Sequence, residues 1–278
     1  FAETLKGYDR DFLCCALSAC MRSIGNVEVD VIRAGYSKKP RVNVDVLKLV
    51  KRALVSMIKE VNDMNKSHND LISSPEDITV MEGSMLKVGL DKNSIDFIIT
   101  SHPYGTESLS YIRTHLLSYR SLQPILKYDP YRFNEDVIGS EYTKNGKAKE
   151  NNWESAKYSS TFVNFFYHEF QMGDEKKLLN RKLMMMQFFD DMVNMAIKFN
   201  NWLKVGGRIA FVIGNKKIGD YVIPTDIIIA EIFKSFGLQL DEVISQKLKF
   251  NNSNSEVPWQ EKIIQNEFVM IFTKKENK

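Results

Sequence analysis

Residues 94–104, S-I-D-F-I-I-T-S-H-P-Y, constrain this chain more than any other stretch. Ile95, Phe97, Ile98 and Ile99 form a short β-branched and aromatic run, the pattern of a buried strand. The run stops at Thr100-Ser101-His102-Pro103-Tyr104, a polar turn closed by a proline and an aromatic. In open α/β sheets, ligands sit beyond the carboxyl ends of the strands, so chemistry is expected at this turn.

The remaining chain alternates helix and strand around it. Over residues 8–24, Phe12, Leu13, Ala16, Leu17, Cys20, Met21 and Ile24 recur at helical spacing, with Asp9 and Asp11 at the positive end and Gly25 as the stop. A second helix is predicted over 45–64, on the stripe Val46, Val50, Leu54, Met57, Ile58, Val61 and Met64. Neither carries a catalytic constellation. Residues 1–70 therefore read as a helical arm that covers a sheet or meets a partner, and 71–278 as an α/β domain. In that domain strands are expected at 78–81, 95–100, 208–213, 238–248 and 268–274, and helices at 109–122, 175–203 and 225–237. Such alternation implies a mostly parallel α/β sheet.

Residues 128–158 break the pattern. They mix Lys144, Lys147, Lys149 and Lys157 with Tyr131, Phe133, Tyr142, Trp153 and Tyr158. An insertion of this length is either a solvated surface loop or a functional one. Beside a candidate site it reads as a nucleic-acid contact, with Lys for phosphates and aromatics for bases. The net charge of +3 permits such a partner without demanding it.

No apolar run is long enough to cross a bilayer. Cys14, Cys15 and Cys20, the chain's three cysteines, lie within an apolar helical pattern and read as buried, reduced thiols of a cytoplasmic protein. His68, His115 and His168 have neither Cys partners nor ligand spacing, so no metal site is expected. The first residue is Phe1 rather than Met, as in a processed chain or one piece of a longer one.

The turn Ser101-His102-Pro103-Tyr104 resembles the S-P-P-Y motif of the amino-group DNA methyltransferases, which methylate cytosine N4 or adenine N6. Glu82-Gly83-Ser84-Met85 and Asp91–Ser94 before it, Tyr111–His115 and Ile138-Gly139-Ser140 after it, and Trp202–Arg208 are similar to further elements of that family. The resemblance spans roughly residues 78–273. It implies a Rossmann-like class I methyltransferase sheet whose final two strands are an antiparallel pair. It also implies S-adenosylmethionine as cofactor and DNA as partner, with Arg113, Lys144, Lys147, Lys149 and Trp153 as the nucleic-acid contacts. The Ser101 hydroxyl and the His102 carbonyl would accept hydrogen bonds from the target amine. Pro103 would stiffen the turn, and Tyr104 would stack on a flipped base. Glu82, Ser84, Thr100 and Ser101 would lie on the cofactor side.

The departures from the family are informative. His102 replaces the first proline, which keeps a carbonyl but loosens its direction. Ser84 stands where the family has an acidic residue, so its contact with the cofactor lacks charge assistance. The glycine-rich F-x-G-x-G loop is nowhere in the sequence, and residues 1–70 leave no room for two preceding strands. The sheet is thus expected to lack its first two strands, leaving 78–81 as a bare edge. A second polypeptide segment or subunit carrying the glycine-rich loop is expected to complete it. Two other readings stay open: a methyltransferase-like DNA-binding subunit without catalysis, and an RNA base methyltransferase, whose N-P-P-Y motif is a near neighbour.

Overall fold

The computed structural model describes residues 5–25, 39, 42–68, 78–81, 83–101, 108–127, 138, 153–170, 176–247 and 266–276, with backbone alone at 68, 108–116, 176–178 and 266. The chain divides into two compact units. One comprises Phe1–Glu82 and Leu109–Asn134, the other Gly83–Ser108 and Glu135–Lys278.

The first unit is helical, with α1 (Gly7–Ile24), α2 (Val46–His68) and, from residue 109 on, α3 (Ser108–Leu126). The heptad-like spacing of apolar residues on α1 and α2 makes them a pair. Ala16, Cys20 and Val50 are buried, and Leu13, Leu17, Leu49, Leu54 and Met57 pack around them. Asp45 caps α2, its carboxylate accepting from the Lys48 N–H at 3.0 Å. Gly25 ends α1, its N–H donating to the Met21 carbonyl at 2.9 Å. Cys14 and Cys20 are buried as expected, whereas Cys15 is exposed; all three are free thiols.

The second unit holds a four-stranded sheet of β1 (Ile95–Ser101), β2 (Leu203–Gly214), β5 (Leu238–Lys247) and β6 (Asn266–Lys274), in the order β1-β2-β6-β5. β1 runs parallel to β2, and β6 runs antiparallel to both of its neighbours, β2 and β5. β3 (Lys217–Ile218) and β4 (Tyr221–Val222) form a small separate hairpin. Side chains alternate across a strand, so Ile209, Phe211 and Ile213 of β2 all face one side, where they are fully buried. On β6 the pairing sets Phe272 opposite Ile209 and Met270 opposite Phe211 on that same face. They share one core with α5 (Lys176–Trp202) and α6 (Thr225–Ser235), through Phe189, Met192, Phe199, Ile229 and Phe233. Met185 and Met186 fill this core as apolar packing. On the opposite face, Phe97 is 48% and Ile99 74% exposed.

Among the described residues one of the sheet's three strand pairings is parallel and two are antiparallel, so the sheet is mixed rather than mostly parallel. Two further expectations fail. Residues 78–81 form no strand, and Val80 is 90% exposed. A parallel pair needs a crossover of a dozen or more residues, usually a helix, and residues 83–94 supply only turns and an irregular strap. Among the described residues β1 is therefore the edge strand on that side of the sheet, as β5 is on the other. Trp153 belongs to no nucleic-acid surface: it is 3% exposed within the core. It opens a segment that sequence periodicity missed, a 3-10 turn (Glu154–Lys157), α4 (Ser160–Val163) and a π-helical turn (Asn164–Glu169). Phe162, Phe165, Phe166 and Phe170 from this segment are buried against α5 and α6.

Candidate functional site

β1 is held by more than its ladder. At its amino end the Asn93 N–H donates to the Asn201 carbonyl and the Ser94 N–H to the Trp202 carbonyl, both at 2.9 Å. The chain thus enters β1 against the last turn of α5. Gly207 lets the two strands approach, since a Cβ there would stand 3.1 Å from the Asp96 carbonyl oxygen and 2.9 Å from that of Lys204. Lys204 Nζ donates to both Asp96 carboxylate oxygens, at 2.7 and 2.8 Å. Both side chains are exposed, so the pair contributes only about 0–1 kcal/mol. Beyond one register shift at Ile95/Phe97 the pairing is regular and delivers Ser101 opposite Val212.

Ser101 is accordingly the exposed last residue of a parallel strand, with half-buried Thr100 before it. Two positions past Val212, β2 ends at Gly214, and Asn215 follows. The Asn215 side-chain oxygen accepts from the Asp226 N–H at 3.2 Å, which holds the first turn of α6 at this end of the sheet. One Asp226 carboxylate oxygen, Oδ1, is buried without a hydrogen-bond partner among the described residues. Buried polar atoms are nearly always paired, so this oxygen marks a place where a donor or cation would fit. The sequence singled out neither residue for the site. Their signal, a polar residue after a strand and another in a helix's first turn, is also that of an ordinary helix start.

The predicted residues are only partly brought together. Ser84 opens a turn, its carbonyl accepting from the Lys87 N–H at 2.8 Å and the Val88 N–H at 3.0 Å. The strap beyond is tied to α5 by Lys198 Nζ, which donates to the Val88 carbonyl at 2.8 Å. These anchors lie at the amino end of β1, away from Ser101, and no hydrogen bond among the described residues joins Ser84 to Ser101. Glu82, His102, Pro103, Tyr104, Lys144, Lys147 and Lys149 lie outside the described residues, and Arg113 is described by its backbone in α3.

What stands at the carboxyl end of β1 is the Ser101 hydroxyl, the Thr100 hydroxyl and, one strand over, the Asp226 carboxylate. Thr100 and Ser101 alternate to opposite faces of the strand, so the exposed Ser101 hydroxyl, which both accepts and donates, is the group that can meet an amine. The set does not by itself fit S-adenosylmethionine: the sequence has no glycine-rich loop, and Ser84 belongs to a turn whose anchors are at the other end of the strand. Among the described residues no group of three or more His, Cys, Asp or Glu could hold a metal ion. No helix among them is long and apolar enough to cross a membrane.

No protein-family description matches the chain, and no curated protein matches it. Two solved structures overlap it in part, both of TTHA0409 from Thermus thermophilus, a protein provisionally described as a DNA modification methylase. The selenomethionine form overlaps at 18% identity over 32% of this chain and 38% of that one, with a TM-score of 0.26. The form complexed with S-adenosyl-L-methionine overlaps at 13% identity over 70% of this chain and 52% of that one, with a TM-score of 0.34. The chain thus spans about half or less of the length of the structures it overlaps.

Proposed function

We propose that the chain is the amine-binding part of an S-adenosylmethionine-dependent methyltransferase acting on an exocyclic amine of a DNA base, cytosine N4 or adenine N6. The observation that carries the reading is the position of Ser101, exposed at the end of a parallel strand and directly before His102-Pro103-Tyr104. The antiparallel pairing of β5 and β6, the final two strands, supports the reading.

An exocyclic amine is a poor nucleophile because its lone pair is delocalised into the ring. Two acceptors aimed at its N–H groups favour a pyramidal nitrogen and free the lone pair for attack. Ser101 Oγ is one acceptor in this reading and the His102 carbonyl oxygen the other. Tyr104 stacks on the flipped base, and Arg113 with Lys144, Lys147 and Lys149 meets the phosphates. S-adenosylmethionine would supply the methyl group, and Glu82, Ser84, Thr100 and Ser101 would be this chain's contacts with it once the pocket is completed. A complementing polypeptide segment brings the glycine-rich loop and adds its strand to the free edge of β1. The setting is the cytoplasm, where the free thiols stay reduced. His102 in place of a proline, Ser84 in place of an acidic residue and the missing glycine-rich loop favour one competing reading, a DNA-binding subunit without catalysis.

Genomic DNA from cells expressing the chain with its flanking coding sequence, digested to nucleosides, should contain N4-methylcytosine or N6-methyladenine. Ser101→Ala should remove the modified base. Its absence from both samples would leave the non-catalytic reading. Calorimetry on the chain alone should show weak or no binding of S-adenosylmethionine; micromolar binding by a folded monomer would dispose of the complementing segment.

A further inference from the structure

We infer that α2 carries a binding surface for a nucleic-acid phosphate backbone, built from Lys48, Lys51, Arg52, Lys59 and Lys66. At 100° per residue these five cations fall within an arc of about 100° on one side of the helix, and from Lys48 to Lys66 they span about 27 Å of its axis. All five are exposed. None has a side-chain hydrogen bond or ion pair with another described residue. Of the acidic residues on α2, Glu60 lies about 120° round the helix from Lys48 and accepts from the Ser56 hydroxyl at 3.2 Å, while Asp63 borders the stripe. A row of five exposed cations about 27 Å long matches the length of about eight base pairs of duplex, at about 3.4 Å each.

A basic amphipathic helix also suits an anionic membrane, which it meets by sinking its apolar face into lipid. Here α1 covers the middle of that face: Val50 is buried, and Leu49, Ala53, Leu54 and Met57 pack against Leu13, Ala16, Leu17 and Cys20. That face is therefore only partly free, with Ile58, Val61 and Met64 about half exposed, whereas the basic side is exposed along its whole length. The choice of duplex DNA over RNA rests on the proposed function; the charge geometry does not.

The test is equilibrium binding of the full chain to a fluorescein-labelled duplex DNA across a salt series, with Arg52→Ala/Lys59→Ala/Lys66→Ala as the variant. These side chains are exposed, so circular dichroism should show an unchanged helical fold and melting temperature. The slope of log affinity against log salt should fall by about 2.7, which is about 0.9 for each of three phosphate contacts. A triple Lys replacement at 144, 147 and 149, which leaves α2 intact, should leave the contribution of this stripe in place. An unchanged slope and affinity in the α2 variant would overturn the inference. So would tighter binding to phosphatidylserine vesicles than to the duplex, lost in the same variant. Methyl transfer enters none of these readouts, so a failure of the catalytic reading leaves the result interpretable.

Discussion

Lys274 Nζ donates to the Leu203 carbonyl oxygen at 2.8 Å, so the end of β6 is plugged into the junction between α5 and β2. The same nitrogen donates to the Asn200 carbonyl at 2.6 Å and to Asn93 Oδ1 at 2.8 Å. Three donors on one ammonium meet three acceptors, two of them carbonyls left open by the end of a helix. Lys274 is 6% exposed, and burial, followed by repulsion from Lys92, holds its pKa below the usual lysine range. Lys274→Met keeps the bulk and strands the acceptors. It should cost about 1–3 kcal/mol in urea unfolding. A variant as stable as the parent would mean that the Nζ contacts contribute nothing net.

Glu231 on α6 performs a comparable task for the Trp153–Phe170 segment. Its carboxylate accepts from Ser159 Oγ at 2.6 Å, Thr161 Oγ1 at 2.8 Å, the Thr161 N–H at 3.1 Å and Ser160 Oγ at 3.4 Å. Burial pushes its pKa up, but the hydrogen bonds together pull it below the ordinary carboxylate value. With the folded pKa depressed, the unfolded chain takes up a proton first. The stabilisation is therefore full above the ordinary carboxylate value and is lost as pH falls through the folded one. Glu231→Gln should lower stability at neutral pH by about 1–3 kcal/mol and flatten this acid-side decline. Urea midpoints measured from pH 7 to 3 would show it, and parallel declines in parent and variant would count against Glu231 as the titrating group.

The aromatic segment that Glu231 pins was the least legible part of the sequence. Its helical pitch changes from 3-10 to α to π within 16 residues, Glu154 to Glu169, and although Phe162, Phe165, Phe166 and Phe170 keep helical spacing, that run of nine residues is too short to stand out as a helix. Trp153 and its neighbours then looked like a surface for bases. The strands expected at 95–100, 208–213, 238–248 and 268–274 stand at 95–101, 203–214, 238–247 and 266–274; the early start of β2 was hidden because Gly206-Gly207 reads as a helix stop. Residues 78–81 have a strand's composition but no strand to pair with. At the candidate site, the strand and Ser101 could be read directly from the chain. Asn215 and Asp226 could not, because only the parallel register of β1 and β2 brings them to the same end.

Gly206 and Gly207 should respond differently to a methyl group. Gly207→Ala drives a Cβ against two backbone oxygens, those of Lys204 and Asp96, which cannot move aside. It should cost about 1–3 kcal/mol and loosen the start of β1. Gly206 has open space around it but sits at φ +81°, so Gly206→Ala should cost about 1–2 kcal/mol through backbone strain alone. Amide hydrogen exchange separates the two: faster exchange at 95–99 is expected for Gly207→Ala only. Equal exchange in both variants would remove the close approach as the cause.

Tyr104→Ala tests the proposed base stacking. Stacking of a base on an aromatic is worth about 1–3 kcal/mol. At about 1.4 kcal/mol per tenfold, methyl transfer by the complete enzyme should fall by about 5- to 150-fold, with the melting temperature unchanged. Undiminished turnover on saturating duplex would take Tyr104 out of the site.

The position of β6 between β2 and β5 also fixes the timing of folding on the ribosome. β2 and β5 are synthesised before the strand that joins them, and neither pairs with the other. Until residues 266–274 have left the exit tunnel, β2 lacks its partner on one edge and β5 has no strand partner among the described residues. The sheet therefore closes only after translation of β6, and in that interval the nascent chain is open to chaperones and to wrong partners.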